Sequence, residues 1–557
     1  MYNLLIGGAA GQGVDTAAAI LERWLKLSGS GVFTMRDFMS RIRGGHNFSR
    51  IRFGETAPGS HSEVLDGIIA LNEETIEIHN GDLRPDGFIL CDSAIKTDDK
   101  RAIMIDMSAI AKEIGNPRVA GSVAIGAVLK LFGVKLNNEQ AESVFRKSLK
   151  AEYIEINIRA VRAGYDAVAA KFEYAGGGFA GHMIVSGNQA LALGALAAGL
   201  QFYSAYPMSP STSIMEYLAL KSSESGILVE QAEDEIAAVN MAIGASFAGA
   251  RAMTGTSGGG FSLKVEALGL SGMTEIPVVI VDVQRPGPVT GFPTRTEQSD
   301  LKFVISASQG EFPRMVIAPR HHEDAFYQTI RAFNMAEKYQ IPVILLSDQY
   351  LADATATIPP PDVRDISLYE PEDIPAEGEY ARYRFTESGI SPRKFPGTRD
   401  GFVAADSDEH DEYGRIVEDS ETRIRMMNKR MGKLDLLEEE LQEPELLGSA
   451  SPDTLLLGWG SMYGPLGEAV NILNAKGGRY GALVFGDVWP LPQKLLMQTA
   501  EGAKTIINVE QNFTGQLGSL VREVCGIKMD ASVLKYDGRQ LSGEEIAKRV
   551  EEGDFNG

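Results

Sequence analysis

Cysteine is nearly absent from this chain: Cys91 and Cys525 are the only two in 557 residues. Two thiols so far apart build no disulfide framework, and they fall short of the four thiolates an iron–sulfur cluster ordinarily takes. A reducing compartment is the expectation, so the location is read as cytoplasmic. Long apolar runs are missing as well. No stretch reaches the eighteen or so apolar residues of a membrane-spanning helix. The opening Met1-Tyr-Asn-Leu-Leu5 lacks the basic start of a signal peptide. Positive charge is scarce: 53 Lys and Arg stand against 75 Asp and Glu, a net charge of −22. That balance argues against general nucleic-acid binding, in which basic side chains displace counterions.

What is present is an α/β rhythm. The chain is too long for one core, and its 44% hydrophobic and 23% charged content is that of a globular protein. Residues 1–175 open with a strand at Tyr2–Ile6, a glycine turn and a helix from Thr16. Further strands are expected at Gly67–Leu71, Gly87–Leu90 and Ile103–Ile105, giving a parallel unit. Ala175–Gly181 reads as a linker. Residues 184–355 repeat the pattern, with strands at Gly226–Glu230, Val278–Val283 and Pro342–Ser347. Residues 356–450 are rich in breakers and aromatics and read as an ordered arm, with a helix in the charged stretch Glu421 to Glu443. Residues 451–557 return to α/β, with strands at Thr454–Leu457, Tyr480–Phe485 and Thr505–Val509. A multidomain α/β chain is the expected class.

Three segments carry chemistry. Gly8-Ala-Ala-Gly11-Gln-Gly13 follows the first strand, where backbone N–H groups could meet an anion, although tight strand–helix packing asks for the same glycines. Arg41-Ile-Arg43-Gly-Gly-His46-Asn47-Phe-Ser-Arg50 is a local basic loop, a site for a phosphate or an acidic partner, or a charged loop paired with the chain's own carboxylates. Glu230-Gln-Ala-Glu-Asp-Glu235 ends a strand in carboxylates and begins a helix. Behind Glu235, Ala238, Ala242, Ala245 and Gly249 make one helix face small enough for a flat ligand or another backbone. Acidic first turns also simply suit the helix dipole.

The order strand, Glu235, alanines, then Gly244 nine residues later resembles the pyrimidine-binding domain of thiamine diphosphate enzymes. The resemblance makes Glu235 the catalytic glutamate, hydrogen-bonded to N1′ of the aminopyrimidine and promoting loss of the thiazolium C2 proton. Glu230 and Glu233 are its competitors, and the gap to Gly244 favours Glu235. Two further motifs narrow the family. Tyr206-Pro-Met-Ser209-Pro-Ser211 is similar to the Tyr-Pro-Ile-Thr-Pro-Ser signature of 2-oxoacid:ferredoxin oxidoreductase alpha subunits. Ser211 is also read as a cap for the next helix. Gln284-Arg285-Pro-Gly-Pro-Val289-Thr290-Gly291-Phe-Pro-Thr294, continuing through Gln298 to Asp300-Leu301, is similar to that family's Arg-x-Gly-Pro-Ser-Thr-Gly-x-Pro-Thr stretch. The first segment resembles its gamma-type domain. The last, with Gly458-Trp-Gly-Ser461 and Glu510-Gln-Asn-Phe-Thr-Gly-Gln516, resembles a transketolase C-terminal-like domain.

The resemblance implies a fused gamma–alpha chain. Ser209, Arg285 and Thr290 would bind substrate, Arg285 as a carboxylate clamp; Tyr206, Pro207, Glu235 and Gly258 would bind the cofactor. The Gly-Asp-Gly motif that holds Mg2+ is missing, and Gly81-Asp82-Leu83 lacks its second glycine. The diphosphate, Mg2+ and a [4Fe-4S] cluster are therefore expected on a beta subunit, in an (alpha–beta)2 assembly with ferredoxin as electron partner and coenzyme A as co-substrate. The expected reaction joins 2-oxoglutarate, coenzyme A and oxidised ferredoxin to succinyl-CoA, CO2 and reduced ferredoxin, in either direction. Pyruvate or branched-chain 2-oxoacids are alternative substrates. A non-catalytic subunit with a degenerate thiamine fold, or a free-standing dinucleotide enzyme, are readings of other classes. For a second substrate carboxylate, Arg295, Arg251 and the Arg41–Arg50 loop are the candidates.

Overall fold

The computed structural model describes residues 1–39, 45–147, 149–364, 366–371, 380–397 and 402–556. They fall into two compact units. One holds Met1–Ser186 with Asp353–Pro360 and Ser542–Glu544; the other holds Gly187–Ala352, Pro361–Leu541 and Glu545–Gly557.

The first unit is built on an eight-stranded sheet. Its order is Ala102–Ile105, Leu83–Asp92, Leu65–Ala70, Tyr2–Ala9, His46–Gly54, Gly31–Asp37, Thr355–Ile358, Met183–Ser186. Leu4, Leu5 and Ile6 are fully buried, as expected for a central strand covered on both faces. The expectation of a parallel unit holds for only half of this sheet. Tyr2–Ala9 is parallel to Leu65–Ala70 but antiparallel to His46–Gly54, and the pairings beyond that strand are antiparallel too. The end of the basic segment is a strand rather than a loop, and of its two open readings Arg50 follows the one in which it pairs with the chain's own carboxylates. His46–Gly54 is a strand; Arg50 is buried in it and pairs with Glu63 at 3.1 Å and Asp82 at 2.8 Å. Arg41 and Arg43 lie outside the described residues. Ala175–Gly181 is no free linker. Gly177 packs against Glu55 and against Gly29, which has φ +100° and no room for a side chain.

The second unit holds two sheets. The larger runs Asp487–Trp489, Met315–Ile317, Pro342–Asp348, Val278–Gln284, Ala252–Thr256, Phe202–Ala205, Leu228–Gln231. All its pairings are parallel except that of Asp487–Trp489 with Met315–Ile317. From Phe202–Ala205 the chain moves outward to Leu228–Gln231, then returns across to Ala252–Thr256 on the other side. The strand order therefore reverses between Phe202–Ala205 and Ala252–Thr256. In an open α/β sheet, the crevice outside the carboxyl ends of the strands at such a reversal is where ligands bind. The smaller sheet, with order Glu445–Gly448, Tyr480–Phe485, Thr454–Trp459, Thr505–Glu510, Ala531–Leu534, shares a hydrophobic core with the larger one through Leu455, Leu457, Trp459 and Leu483. The charged stretch after Glu421 forms two helices, Ser420–Met431 and Lys433–Glu438.

Candidate active site

Four of the motifs lie at the carboxyl ends of neighbouring strands in the larger sheet. Tyr206–Ser209 follows Phe202–Ala205, Glu235 follows Leu228–Gln231, Gly258 follows Ala252–Thr256, and Arg285 follows Val278–Gln284. The parallel topology, not closeness in sequence, brings them to one edge.

Glu235 opens the helix Glu235–Phe247. Asp234 is the N-cap, its carboxylate accepting from Ala237 N at 2.8 Å, so the helix begins at Glu235. Glu235 is 6% exposed, whereas Glu230 and Glu233 are exposed. Its carboxylate accepts no hydrogen bond from the described residues and lies against the first turn of the helix Gly258–Thr274. Three glycines open that turn, each for a different neighbour. A Cβ on Gly258 would strike the Asp300 carboxylate; one on Gly259 would sit 3.1 Å from Met208 Cε and from Val289 O; one on Gly260 would meet Thr256 Oγ1 and lie 2.5 Å from Glu235 Oε1. Gly258 is therefore a crossing point of the site. The Ser257 hydroxyl beside it is buried and has no hydrogen-bond partner among the described residues.

Arg285 is buried, and Nη1 donates to the Ser209 main-chain oxygen at 2.6 Å. This bond joins two of the expected substrate residues. The rest of the guanidinium takes no protein partner among the described residues. Burial pulls the Arg285 pKa down. The Tyr206–Ser209 turn is held from below by Asn188, whose Nδ2 donates to Pro210 O and Ser213 Oγ, both at 2.8 Å. Tyr206, Ser209 and Thr290 are exposed and Pro207 is partly so. Val289 is 83% exposed and has φ +59°, a conformation a β-branched residue adopts only under strain.

Two expectations are corrected, those on Ser211 and Arg251. Of the small-residue stripe, Ala238 and Ala242 are fully buried, so at those two positions the open choice falls to packing, while Ala245 is half-buried and Gly249 exposed. The open face of the helix carries Ile236, Asn240, Met241 and Gly244 instead. Ser211 makes no cap; its hydroxyl donates to Met208 O at 2.8 Å. Arg251 stands at the opposite, amino-terminal edge of the sheet. Its guanidinium binds the carbonyls of Ala198 at 2.9 Å and Tyr369 at 2.5 Å. It cannot reach the crevice; Arg295, in the loop after Arg285, remains on the correct side.

Several residues escaped the sequence reading. Lys264 is fully buried under Glu235. Its Nζ donates to Thr254 Oγ1 at 2.9 Å and to the Glu235 main-chain oxygen at 3.3 Å. Burial pushes it down to about 8, against the pull of the Glu235 and Asp234 carboxylates. It had a signal: it is the one charge on the buried side of a small-residue helix. Asp282 is the one charge in Val278-Val-Ile-Val-Asp-Val283, and it too is buried. The glycine and glutamate motifs of the last segment fix the Gln298–Asp300 stretch. Gln298 Nε2 donates to Asp348 Oδ2 at 3.1 Å and to Trp459 O at 3.2 Å, Asn512 Nδ2 donates to Gln298 O at 2.9 Å, and Gln516 Nε2 donates to Ser299 O at 2.7 Å. In the first unit, the glycine turn after Tyr2–Ala9 is occupied by Gln12, which accepts from Ala9 N at 2.6 Å and donates to Leu71 O at 3.1 Å.

The chain is similar to known proteins. Residues 193–429 match a pyruvate flavodoxin/ferredoxin oxidoreductase family described as thiamine diphosphate-binding; residues 3–167 match a pyruvate ferredoxin/flavodoxin oxidoreductase family, and residues 452–546 match pyruvate:ferredoxin oxidoreductase core domain II. The 2-oxoacid:ferredoxin oxidoreductase subunit alpha of a Sulfolobus species is 33% identical over 98% of this chain and 96% of its own. The chain belongs to the 2-oxoacid:ferredoxin oxidoreductase alpha-subunit family. Another member, the 2-oxoglutarate synthase subunit KorA of Methanothermobacter marburgensis, is 32% identical over 66% of this chain and 97% of its own. A solved member is 2-oxoglutarate:ferredoxin oxidoreductase from Magnetococcus marinus with 2-oxoglutarate, coenzyme A and succinyl-CoA bound. It is 32% identical, covers 99% of each chain and has a TM-score of 0.92. The multidomain α/β class and the thiamine-type pyrimidine domain expected from the sequence are those of this family. Among the described residues no helix is long and apolar enough to cross a membrane, and no group of three or more His, Cys, Asp or Glu could hold a metal ion.

Proposed function

We propose that this chain is the catalytic alpha subunit of an oxidoreductase that interconverts 2-oxoglutarate, coenzyme A and oxidised ferredoxin with succinyl-CoA, CO2 and reduced ferredoxin. The observation that carries the reading is the unpartnered, buried Glu235 carboxylate in the same crevice as a buried arginine bound to Ser209. The near full-length likeness to the Magnetococcus marinus enzyme supports 2-oxoglutarate as substrate.

The residues fit the aminopyrimidine end of thiamine diphosphate. A carboxylate with no protein donor, beside a turn of glycines, suits a ring nitrogen that must share a proton. When bound, the cofactor supplies the electron sink that lets a 2-oxoacid lose CO2. Glu235 holds the proton against the ring nitrogen, and Lys264 fixes the main chain on which that carboxylate is mounted. Tyr206, Pro207 and Gly258 shape the wall of the crevice. Arg285, with Nη1 anchored on Ser209, offers its remaining N–H groups to the substrate carboxylate. Ser209 and Thr290 supply hydroxyls at the exposed mouth.

A beta subunit completes the site in this reading. The exposed face Ile236, Asn240, Met241 and Gly244, beside Leu263, is the docking face, and the beta subunit brings Mg2+, the diphosphate contacts and the [4Fe-4S] cluster. The assembly is (alpha–beta)2 in the cytoplasm. In this reading 1–175 is the gamma-type piece, 187–352 the pyrimidine-binding piece, 361–450 the arm and 451–557 the C-terminal piece; the strands Met183–Ser186 and Thr355–Ile358 belong to the first unit's sheet.

The test is dye reduction by the assembled complex on 2-oxoglutarate, pyruvate and branched-chain 2-oxoacids. The expected order puts 2-oxoglutarate first in kcat/KM. Preference for another 2-oxoacid would move the substrate; no reduction with any would end the catalytic reading. The relatives named for 2-oxoacids in general favour one second reading, a broad-range enzyme, which equal rates on all three would support.

A further inference from the structure

The first unit buries two histidines against each other. His46 opens the strand His46–Gly54 and His79 closes the helix Glu73–His79; they are 5% and 4% exposed. Their Nε2 atoms stand 2.9 Å apart, and the ring centroids are 5.0 Å apart with planes tilted by 40°. The centroids are farther apart than the nitrogens by nearly two ring radii, so the nitrogens face each other almost head-on. That is a hydrogen bond between imidazoles, and it needs one N–H and one lone pair. Phe48 closes over the pair, stacked on His46 at 5.5 Å and edge-to-face with His79 at 4.7 Å.

The outer nitrogens differ. His79 Nδ1 stands 3.6 Å from Asp82 Oδ2, whereas His46 Nδ1 is buried with no hydrogen-bond partner among the described residues. The carboxylate favours the tautomer of His79 with its proton on Nδ1. His79 Nε2 is then the acceptor and His46 Nε2–H the donor. Among the described residues, charged groups approach the pair from four elements. Asp37 ends the strand Gly31–Asp37, Glu74 lies in the helix, Asp82 ends the turn after it, and Arg50 lies in the strand of His46. Arg50 is committed to Asp82 at 2.8 Å and Glu63 at 3.1 Å. Burial and the neighbouring His79 push His46 below the ordinary 6.5, against the pull of Glu74 and Asp37.

The pair is mounted on the glycine turn. A Cβ on Gly7 would sit 2.5 Å from Thr75 Cγ2 in the helix and 3.0 Å from His46 Cε1; one on Gly8 would sit 2.9 Å from Leu71 Cβ. Leu71 N donates to Gly7 O at 2.9 Å, and Gln12 Nε2 donates to Leu71 O at 3.1 Å. His46 and the helix thus close together on the end of the central strand Tyr2–Ala9. With both imidazoles neutral, the contact holds one N–H and one lone pair. One added proton still leaves a lone pair, and the bond survives. A second removes it and sets two cationic N–H groups against each other at hydrogen-bond distance.

We propose that His46 and His79 form an acid-operated latch. It holds the helix Glu73–His79 against the start of the strand His46–Gly54, keeps the turn Gly8–Gly13 packed, and opens when both imidazoles are protonated. The latch does not depend on the proposed function.

The test uses the full chain and needs no turnover. Amide hydrogen exchange of peptides covering residues 7–13 and 71–79 reads the opening. From about pH 7 to about pH 5 it should speed up by roughly tenfold or more relative to the intrinsic chemical rate. His79→Gln and His46→Gln each supply an amide that can donate or accept without gaining charge, and both should stay closed at the lower pH. Wild-type exchange that follows only the intrinsic rate overturns the latch. So does an equal acid response in the wild type and both variants. Stability by urea titration gives the sign independently. His46 is depressed, so its contribution is present above 6.5 and lost as pH falls below it, and His46→Gln should lack that fall. Nitrogen-15 spectra of the wild-type chain, with its seven histidines labelled, need no substitution. Two imidazoles should take up protons in sequence, and opening should track the second. Opening that tracks the first, or precedes both, overturns the proposal.

Discussion

The helix Gly258–Thr274 has a buried carboxylate at each end, and the two ends are built on opposite principles. At its carboxyl end, Glu275 is 1% exposed with φ +52°. Lys429 Nζ bonds both of its oxygens at 2.6 and 2.8 Å, Lys433 Nζ bonds one, and Arg382 Nη2 donates to its main-chain oxygen at 2.6 Å. Burial opposes the charge, but the two lysines and Arg382 hold Glu275 far below its ordinary pKa. These cations come from the arm, so the cluster pins the arm to the helix. At the amino end, none of Glu235, Asp282 and Asp300 has an ion-pair partner on its carboxylate among the described residues. The dipole there favours negative charge, yet burial still lifts Asp300. A buried carboxylate ringed by cations is architecture. One left bare costs stability and stays available for proton chemistry.

That contrast is most directly broken by matched neutralisations at the two ends. Glu235→Gln should lower kcat of the assembled complex by roughly 10²–10⁴-fold, with a melting temperature close to that of the wild type. Glu275→Gln should do the reverse. It strands two lysines in the interior and is expected to cost about 3–5 kcal/mol of stability by denaturant titration. Turnover per folded complex should stay near wild type. If Glu275→Gln lost activity at full stability, or Glu235→Gln unfolded with kcat intact, the division between the two ends would be wrong.

The two ends also differ in how much of them the sequence discloses. Glu235, the Tyr206–Ser209 turn and Arg285 were legible because each motif is local, and the parallel topology delivers every such motif to the same sheet edge. Asp282 was not, since nothing in sequence says that a lone aspartate in an apolar strand will be buried with no hydrogen-bond partner among the described residues. The Glu275 cluster joins residues more than a hundred positions apart, and nothing in the arm's charged stretch marks which of its lysines turn inward. In the first unit, Gly31–Asp37 and His46–Gly54 were hidden as strands by their charges. Arg36 is satisfied by Glu22 at 3.1 Å and Arg50 by Asp82, partners visible only once the sheet is formed. Thr355–Ile358 joins that sheet from the far side of the second unit's segment, which no periodicity announces.

A pH series sharpens the comparison at the amino end. Asp300 has a folded pKa of about 7 against 3.8 for an ordinary aspartate, so the folded chain binds more protons than the unfolded one between those values. Its contribution is fully present below about pH 4 and is lost as pH rises through 7. Asp300→Asn should therefore flatten the fall in stability across that window. The upper bound is about 4 kcal/mol at 1.36 kcal/mol for each unit. A wild-type profile already flat there would mean that Asp300 is ionised throughout.

The smallest effect is expected at the carboxyl end, where the two lysines are unequal. Burial pushes Lys433 down to about 7, against the pull of Glu275, so near neutrality it is only partly charged. Lys429 alone bonds both oxygens of Glu275. Lys433→Met should thus cost under about 2 kcal/mol at neutral pH, because removing the lysine also removes its own desolvation penalty. The sign with pH runs opposite to that of Asp300. A depressed lysine weakens the folded state progressively as pH falls from about 10.5 to 7, and the variant should lack that slope. Lys429→Met, by contrast, should approach the cost of losing Glu275 itself. Equal losses from the two lysine variants at pH 7 would show that both carry full charge, and that the cluster is held by charge count rather than by the geometry of one bidentate pair.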